Sequence, residues 1–302
     1  MWMRTGGSWA CFKTLRGENR MNFFTAPEII KNFAAAGEKK TKLSAGRLLA
    51  LGTLAGMFIA LGGAVTNTAS HSIANVSAAR IISGLLFPGG LSLVILMGAE
   101  LFTGNCLIVI SVLEKRATLK GMLRNWVLVY LGNFLGAFLV AWGCALFGQL
   151  DYSGGELAVF TMRLAASKLE IPAADGIVRG FFCNVLVCLA VLCSLSSKDT
   201  AGRILGTVFP IAFFVICGFE HCIANMYYVP AGLFAAGMPA YAAGAAAAGL
   251  DTASLTWSGF LVRNLLPVTF GNILGGVFTG LMLWLGHRET VPEMAGDRSE
   301  RP

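Results

Sequence analysis

Charge is what this sequence has least of. Asp, Glu, Lys and Arg together make up 13% of 302 residues, whereas 56% are hydrophobic and the mean hydropathy is +0.69. A chain so poor in charge is not a water-soluble domain; it is an all-α polytopic membrane protein. Histidine is scarce as well. There are three, widely separated, so no His-x-x-x-His metal pair exists, and no serine nucleophile with a neighbouring base is visible. The eight cysteines contain no Cys-x-x-Cys pair and sit mostly inside apolar runs, where they behave as small buried hydrophobes. Neither a disulfide framework, a metal site nor a cofactor is indicated. The formal charge of +7 flanks hydrophobic runs instead of forming a basic stripe with aromatics, so it reports topology, and nucleic acid is not an expected partner.

Residues 1–20 lack the uninterrupted apolar core of a signal peptide, and Met21 reads as an alternative start to Met1. The chain divides into an expected cytoplasmic N-terminal segment (1–43), a six-span transmembrane domain (44–287) and a cytoplasmic tail (288–302). In the first part, Thr25 or Ala26 caps a helix with Pro27 in its first turn; it runs through Ile29, Ile30 and Phe33 to Lys39, Lys40 and Lys42. An amphipathic helix lying on the membrane surface is expected there. Six hydrophobic segments follow, at about 45–65, 79–113, 126–147, 176–195, 204–233 and 260–286. About 20 residues cross the hydrocarbon core, so the second and fifth are overlong, and both contain polar interruptions.

Lys and Arg gather before the first span (Lys31, Lys39, Lys40, Lys42, Arg47), after the second (Lys115, Arg116, Lys120, Arg124) and after the fourth (Lys198, Arg203). Residues 234–257 have neither. This distribution places both termini on the cytoplasmic side. Arg163, Lys168 and Arg179 fall on the opposite side and ask for a functional explanation.

The halves of the chain resemble each other. Asn125-Trp-Val-Leu-Val-Tyr-Leu-Gly-Asn133-Phe-Leu-Gly136 aligns without gaps on Asn264-Leu-Leu-Pro-Val-Thr-Phe-Gly-Asn272-Ile-Leu-Gly275. Upstream, Glu100-Leu-Phe-Thr-Gly-Asn105 and Glu220-His-Cys-Ile-Ala-Asn225 share Glu-x4-Asn. Each half holds three spans, so the second copy is inverted, and matched interruptions in inverted repeats point to a midplane transport site. Gly218 supplies a point where the fifth span can open, and opened backbone at membrane depth survives only where it lines a cavity.

A helix broken at mid-membrane presents backbone N–H groups and a positive dipole end, which attract anions. His221 is expected near the start of the second half of span five, with Thr103 in the corresponding place in span two. Leu101, Phe102 and Phe214 can supply apolar constrictions that strip water from a permeating species. A free anion is costly in such a dry site, whereas its conjugate acid is not. A histidine, with an ordinary pKa near 6.5, can lend a proton to a weak-acid anion there. Glu220 is read as a carboxyl bonded to freed backbone or to an asparagine, structural like Glu100, Asn105, Asn225 and Gly218 at the breaks.

At these residues the chain resembles the formate/nitrite transporter family, over about residues 26–286. Gly218-Phe-Glu-His-Cys-Ile-Ala-Asn-Met226 is similar to the family's fifth-helix signature, Glu100 to Asn105 to its second-helix loop, and Asn264 to Asn272 to its sixth-helix motif. The resemblance implies an aquaporin-like six-helix protomer in a homopentamer within the bilayer of a bacterial cytoplasmic membrane. Each protomer would have its own pore for a small monovalent anion (formate first, then nitrite or hydrosulfide), with a proton as possible co-substrate. It places the family's central histidine on His221 and its partner threonine on Thr103. The outer basic residue falls on Lys168, and the pore asparagines on Asn184 and Asn272. Constriction positions fall on Phe87, Leu91, Leu101, Phe102, Val187 and Phe214. This chain reads Thr103-Gly104-Asn105 where some formate members carry serine after the threonine, which leaves the anion open.

Two other classes stand against this reading. A membrane enzyme with Glu220 and His221 as acid and base would need a second converging set of groups, and none is visible. A neutral-solute pore of aquaporin type would need Asn-Pro-Ala pairs, but the Pro-Ala steps here follow Ile171, Val229 and Met238.

Overall fold

A backbone in lipid must satisfy its own N–H and C=O groups, so the apolar runs fold as helices. The computed structural model describes residues 22–288; Met21, the segment before it and the tail after 288 lie outside the described residues. The first helix, α1 (Ala26–Thr41), begins with a capping box in which Glu28 accepts from both Thr25 N–H and Thr25 O–H. Its apolar face was expected on the membrane surface. Instead Ile30, Phe33 and Ala34 are buried against Leu107, Ile110 and Leu192 of the protein itself.

Among the described residues, six helical stretches are long and apolar enough to cross a membrane. They begin with α2 (Ala45–Ser70). The second span opens with α3 (Val76–Leu86) and α4 (Pro88–Leu96), breaks, and resumes as α5 (Phe102–Asn105), a 3-10 turn (Cys106–Ile108) and α6 (Val109–Leu113). Then come α7 (Leu119–Leu146), the short α8 (Glu156–Leu169) and α9 (Ala173–Ser196). The fifth span is α10 (Thr200–Cys217), a break, and α11 (Cys222–Ala236), followed by the short α12 (Pro239–Ala247). A π-helical segment (Gly259–Leu265) leads into α13 (Leu266–His287). The first and third spans run beyond their apolar stretches, to Ser70 and from Leu119; in the first, Thr66 and Ser70 are buried and bond to carbonyls of their own helix.

Two helix pairs form the frame, α2 with α7 and α9 with α13. A Cβ added at Gly136 would overlap the Thr53 carbonyl oxygen, and one at Gly275 would overlap that of Phe181. Glycine is thus what lets each pair approach closely. Around the frame, Leu85, Phe209, Val262 and Leu266 are among the large apolar side chains left exposed on the outside of the single chain. Contacts among the N-terminal segment, the α6–α7 loop, the α9–α10 loop and the end of α13 draw most of the basic residues to one face. Examples are Arg124 to Leu43 O, Asn22 to Asp199 and Trp284 to Glu114.

Candidate functional site

Both broken spans turn on a glycine in the left-handed region, Gly98 (φ +63°) and Gly218 (φ +69°), each two residues before a glutamate. The chain then runs extended through Leu101 or His221, which serve as the N-caps of α5 and α11. One asparagine holds each break from the neighbouring frame helix. Asn133 Oδ1 accepts from Phe102 N–H (2.9 Å), while its Nδ2 donates to Gly52 O (2.7 Å) and Glu100 O (2.9 Å). Asn272 Oδ1 accepts from Cys222 N–H (2.9 Å), while its Nδ2 donates to Gly180 O (2.8 Å) and Glu220 O (2.9 Å). These bonds satisfy backbone groups that a broken helix would otherwise leave buried and unpaired.

The glutamates anchor a second tier. Glu100 takes Lys40 Nζ at 2.8 Å and Asn105 Nδ2 at 2.7 Å; Asn105 also donates to Asn125, whose Nδ2 donates to Lys40 O. Glu220 takes Lys168 Nζ at 2.9 Å and Asn225 Nδ2 at 2.7 Å; Asn225 also donates to Asn264, whose Nδ2 donates to Lys168 O. The expectation that Glu220 bonds to an asparagine is met, with Lys168 added. The lysine further lies 5.4 Å from the Tyr228 ring centroid. A carboxylate buried at this depth persists because its charge is paired and its oxygens are bonded.

Between the two tiers the halves meet. His221 and Thr103 are 3% and 0% exposed, with Nε2 and Oγ1 3.0 Å apart. His221 Nδ1 accepts from Ala224 N–H at 3.1 Å, capping α11. An N–H donor at Nδ1 leaves that nitrogen no room for a proton, so the neutral ring carries its hydrogen on Nε2 and donates to Thr103. The threonine's own hydroxyl hydrogen remains for another acceptor. Asn184 Nδ2 donates to Thr103 O (3.2 Å) and Asn272 O (2.6 Å), tying the second break to the first. Phe214 stacks on the imidazole at 5.9 Å and meets Phe87 edge-on at 5.7 Å.

A cavity of ≈ 510 Å³ descends to His221 from the α8 side, lined near its floor by Phe87, Phe214, Glu220 and Asn225. Leu91, Leu101, Phe102 and Val187 do not line it; they are buried in the surrounding apolar core. Phe102 instead packs edge-on against Tyr130 and Trp126.

The structure corrects a further expectation. Thr103 does not occupy in span two the place that His221 holds in span five: Leu101 does, because both are the extended N-cap one residue after the glutamate. Thr103 lies two residues further along and matches Ile223, so the pair is a cross-contact and not a symmetric one. Sequence reasoning also missed Gly98, Lys40 and the bonding of Asn125 and Asn264. The Gly-x-Glu spacing shared by Gly98 and Gly218, and the repeat that begins on Asn125 and Asn264, were the available signals.

Comparison with known proteins agrees with this architecture. The family described as "Formate/nitrite transporter" matches residues 27–285. A "Probable formate transporter" of Methanothermobacter thermautotrophicus is 35% identical over 87% of this chain and 97% of its own length. The "Formate channel FocA" of Escherichia coli K12 is 31% identical over 90% of this chain and 97% of its own. A solved "Pentameric formate channel with formate bound" superposes with a TM-score of 0.72 at 32% identity, over 81% of this chain and 98% of that one. Transport, not enzymatic turnover, is the business of such proteins, and the chain belongs to the formate/nitrite transporter family.

Proposed function

We propose that the protein is a homopentameric channel for a small monovalent weak-acid anion, formate first, in a bacterial cytoplasmic membrane with both termini inside. The contact between His221 Nε2 and Thr103 Oγ1 carries this reading. It puts a titratable ring and a free hydroxyl proton at a dry waist, beside the Phe87–Phe214 contact that a bare anion cannot pass cheaply. The formate-binding, pentameric relative favours the choice of anion and assembly.

In the arrangement present the ring donates through Nε2 alone. To lend a proton it first takes one at Nδ1 from water in the cavity, giving up the bond from Ala224 N–H; an anion at Thr103 compensates the charge so gained. The imidazolium then passes its Nε2 proton to the anion, the neutral acid crosses the apolar waist, and water beyond receives the proton. The ring, left with its hydrogen on Nδ1, returns to the Nε2–H form by taking a proton from water at Nε2 and releasing the Nδ1 proton to water, a return that the Ala224 bond favours. Lys168, held against Glu220 and Tyr228, offers its remaining N–H to the anion in the cavity above.

Flux in proteoliposomes tests this, comparing formate, nitrite and hydrosulfide across about pH 5 to 8. We expect formate to lead, and its acid-side flux to fall at least about tenfold in His221→Ala. Lys168→Met should lower flux while also destabilising the fold by about 3–5 kcal/mol, since Glu220 is left buried without its cation. Equal passage of all three anions and an unaffected His221→Ala would make His221 structural. Preference for nitrite or hydrosulfide would reassign the anion within the same mechanism.

A further inference from the structure

The cavity above His221 is larger and more basic than the passage of one formate requires. Its ≈ 510 Å³ falls within the range of about 300–1,000 Å³ typical of sites for drug-sized ligands. Four cations line it, Arg80, Arg163, Lys168 and Arg179, against the single carboxylate Glu220. Lys168 is neutralised by that carboxylate, which leaves three guanidinium groups from three different helices around the mouth.

None of the three is firmly engaged. Arg80 Nη1 donates only to Val215 O, at 3.3 Å. Arg179 has a 3.9 Å contact with exposed Asp175, a surface pair worth little. Arg163 makes no ion pair or hydrogen bond among the described residues. Asn67 lines the same cavity, but its Nδ2 is closed off from the open space, so the arginines are the donors that a ligand meets there. Between these polar groups the wall is apolar, formed by Val76, Phe160 and Ile171.

We propose that this mouth is a binding site for a small dicarboxylate, which seats there and blocks the anion path. Guanidinium forks match carboxylates in a planar, two-bond geometry, and more than one fork suits a ligand with a carboxylate at each end. The apolar wall accommodates the carbon chain between the carboxylates. Such a dianion binds but does not cross. The waist holds one imidazole, so one proton at most can be lent, and the second charge stays unneutralised at the apolar constriction. The blocking action, though not the binding, rests on the proposed conduction of a monovalent anion.

Succinate is the probe. It is titrated calorimetrically into purified full-length protein, as wild type, Arg163→Gln and Arg80→Gln, with thermal unfolding of each variant showing that it is folded. All three arginines are exposed, so the fold should tolerate these changes. In parallel, formate flux from proteoliposomes is followed with succinate outside, each variant normalised to its own uninhibited flux. Saturable binding is expected, weakened at least about tenfold by either substitution, with inhibition weakened in the same order. The proposal is overturned if succinate does not saturate, or if both variants bind it as wild type does. It is equally overturned if inhibition matches that by acetate at equal ionic strength, for then the arginines only steer anions. The two readings fail separately. Arginine-dependent succinate binding without formate flux removes the channel reading and leaves the site, whereas formate flux without succinate binding does the reverse.

Discussion

Span two and span five break in the same way and carry different cargo. In each, a left-handed glycine precedes a buried glutamate, a lysine from a flanking short helix neutralises it, and an asparagine on a frame helix makes the same set of bonds. At the next residue the likeness stops. Leu101 offers its half-helix no side-chain cap, whereas His221 caps its own through Nδ1 and turns Nε2 to the other half. The lysines differ too: the Lys40 side chain is 25% exposed and Lys168 12%, with Tyr228 over the latter alone. The repeat therefore supplies a symmetric frame, and the chemistry comes from breaking that symmetry at a few positions. Both broken helices end at mid-membrane, but only one of them brings an imidazole there.

The largest effect should come from attacking what the halves share. Asn133→Leu and Asn272→Leu each remove a buried acceptor and two donated bonds. Interhelical hydrogen bonds in membranes average about 0.6 kcal/mol, but an unpaired backbone N–H in an apolar core adds its own penalty of about 1–3 kcal/mol. A loss of about 2–4 kcal/mol is expected in denaturant unfolding of the detergent-solubilised protein, alike for both. One variant tolerated and the other not would mean that the bonds match in geometry and not in weight.

Much of this frame was legible in the sequence. The apolar runs marked the spans, Gly218 marked one break, and the gapless match of Asn133 with Asn272 paired the helices that hold the breaks. What could not be read depended on contacts between distant segments. Lys40 belongs to a helix that looked like a membrane-surface element, and its partner Glu100 is 60 residues away. The Thr103–His221 pair spans 118 residues and breaks the register of the repeat, so symmetry pointed to the wrong equivalence. Arg163, Lys168 and Arg179 stood out as cations on the unexpected side, but only the fold brings Arg80 to them.

That register gives a sharper test of how the asymmetry works. Moving the imidazole alone, by His221→Leu with Leu101→His, puts it at the equivalent cap but opposite Ile223, which has no hydroxyl. Flux on the acid side should stay at least about tenfold below wild type. Adding Thr103→Ile and Ile223→Thr moves both partners and should recover part of it. Recovery by the double change alone would show that the ring's depth in the membrane matters and its threonine partner does not.

The smallest expected effect concerns the helices that open each broken span. α10 is capped by Asp199, which accepts from Gly202 N–H at 2.8 Å, and α3 by Asn75, which accepts from Ala78 N–H at 3.0 Å. The Gly202 amide, and after it the Ser197 hydroxyl, hold the Asp199 carboxyl below its ordinary value. A carboxylate whose folded-state pKa is depressed contributes stability that is present above the unfolded value of about 3.9 and is lost as pH falls through the folded one. Acid should therefore loosen the α10 cap, together with the Asn22 contact on the same carboxylate, and leave the α3 cap alone. Amide protection at Gly202 should drop below about pH 4 while that at Ala78 holds, and Asp199→Asn, which keeps the acceptor but cannot titrate, should abolish the drop. Parallel loss at both amides would trace the acid response to the fold as a whole, and the two halves would then differ in chemistry at the waist and not at their edges.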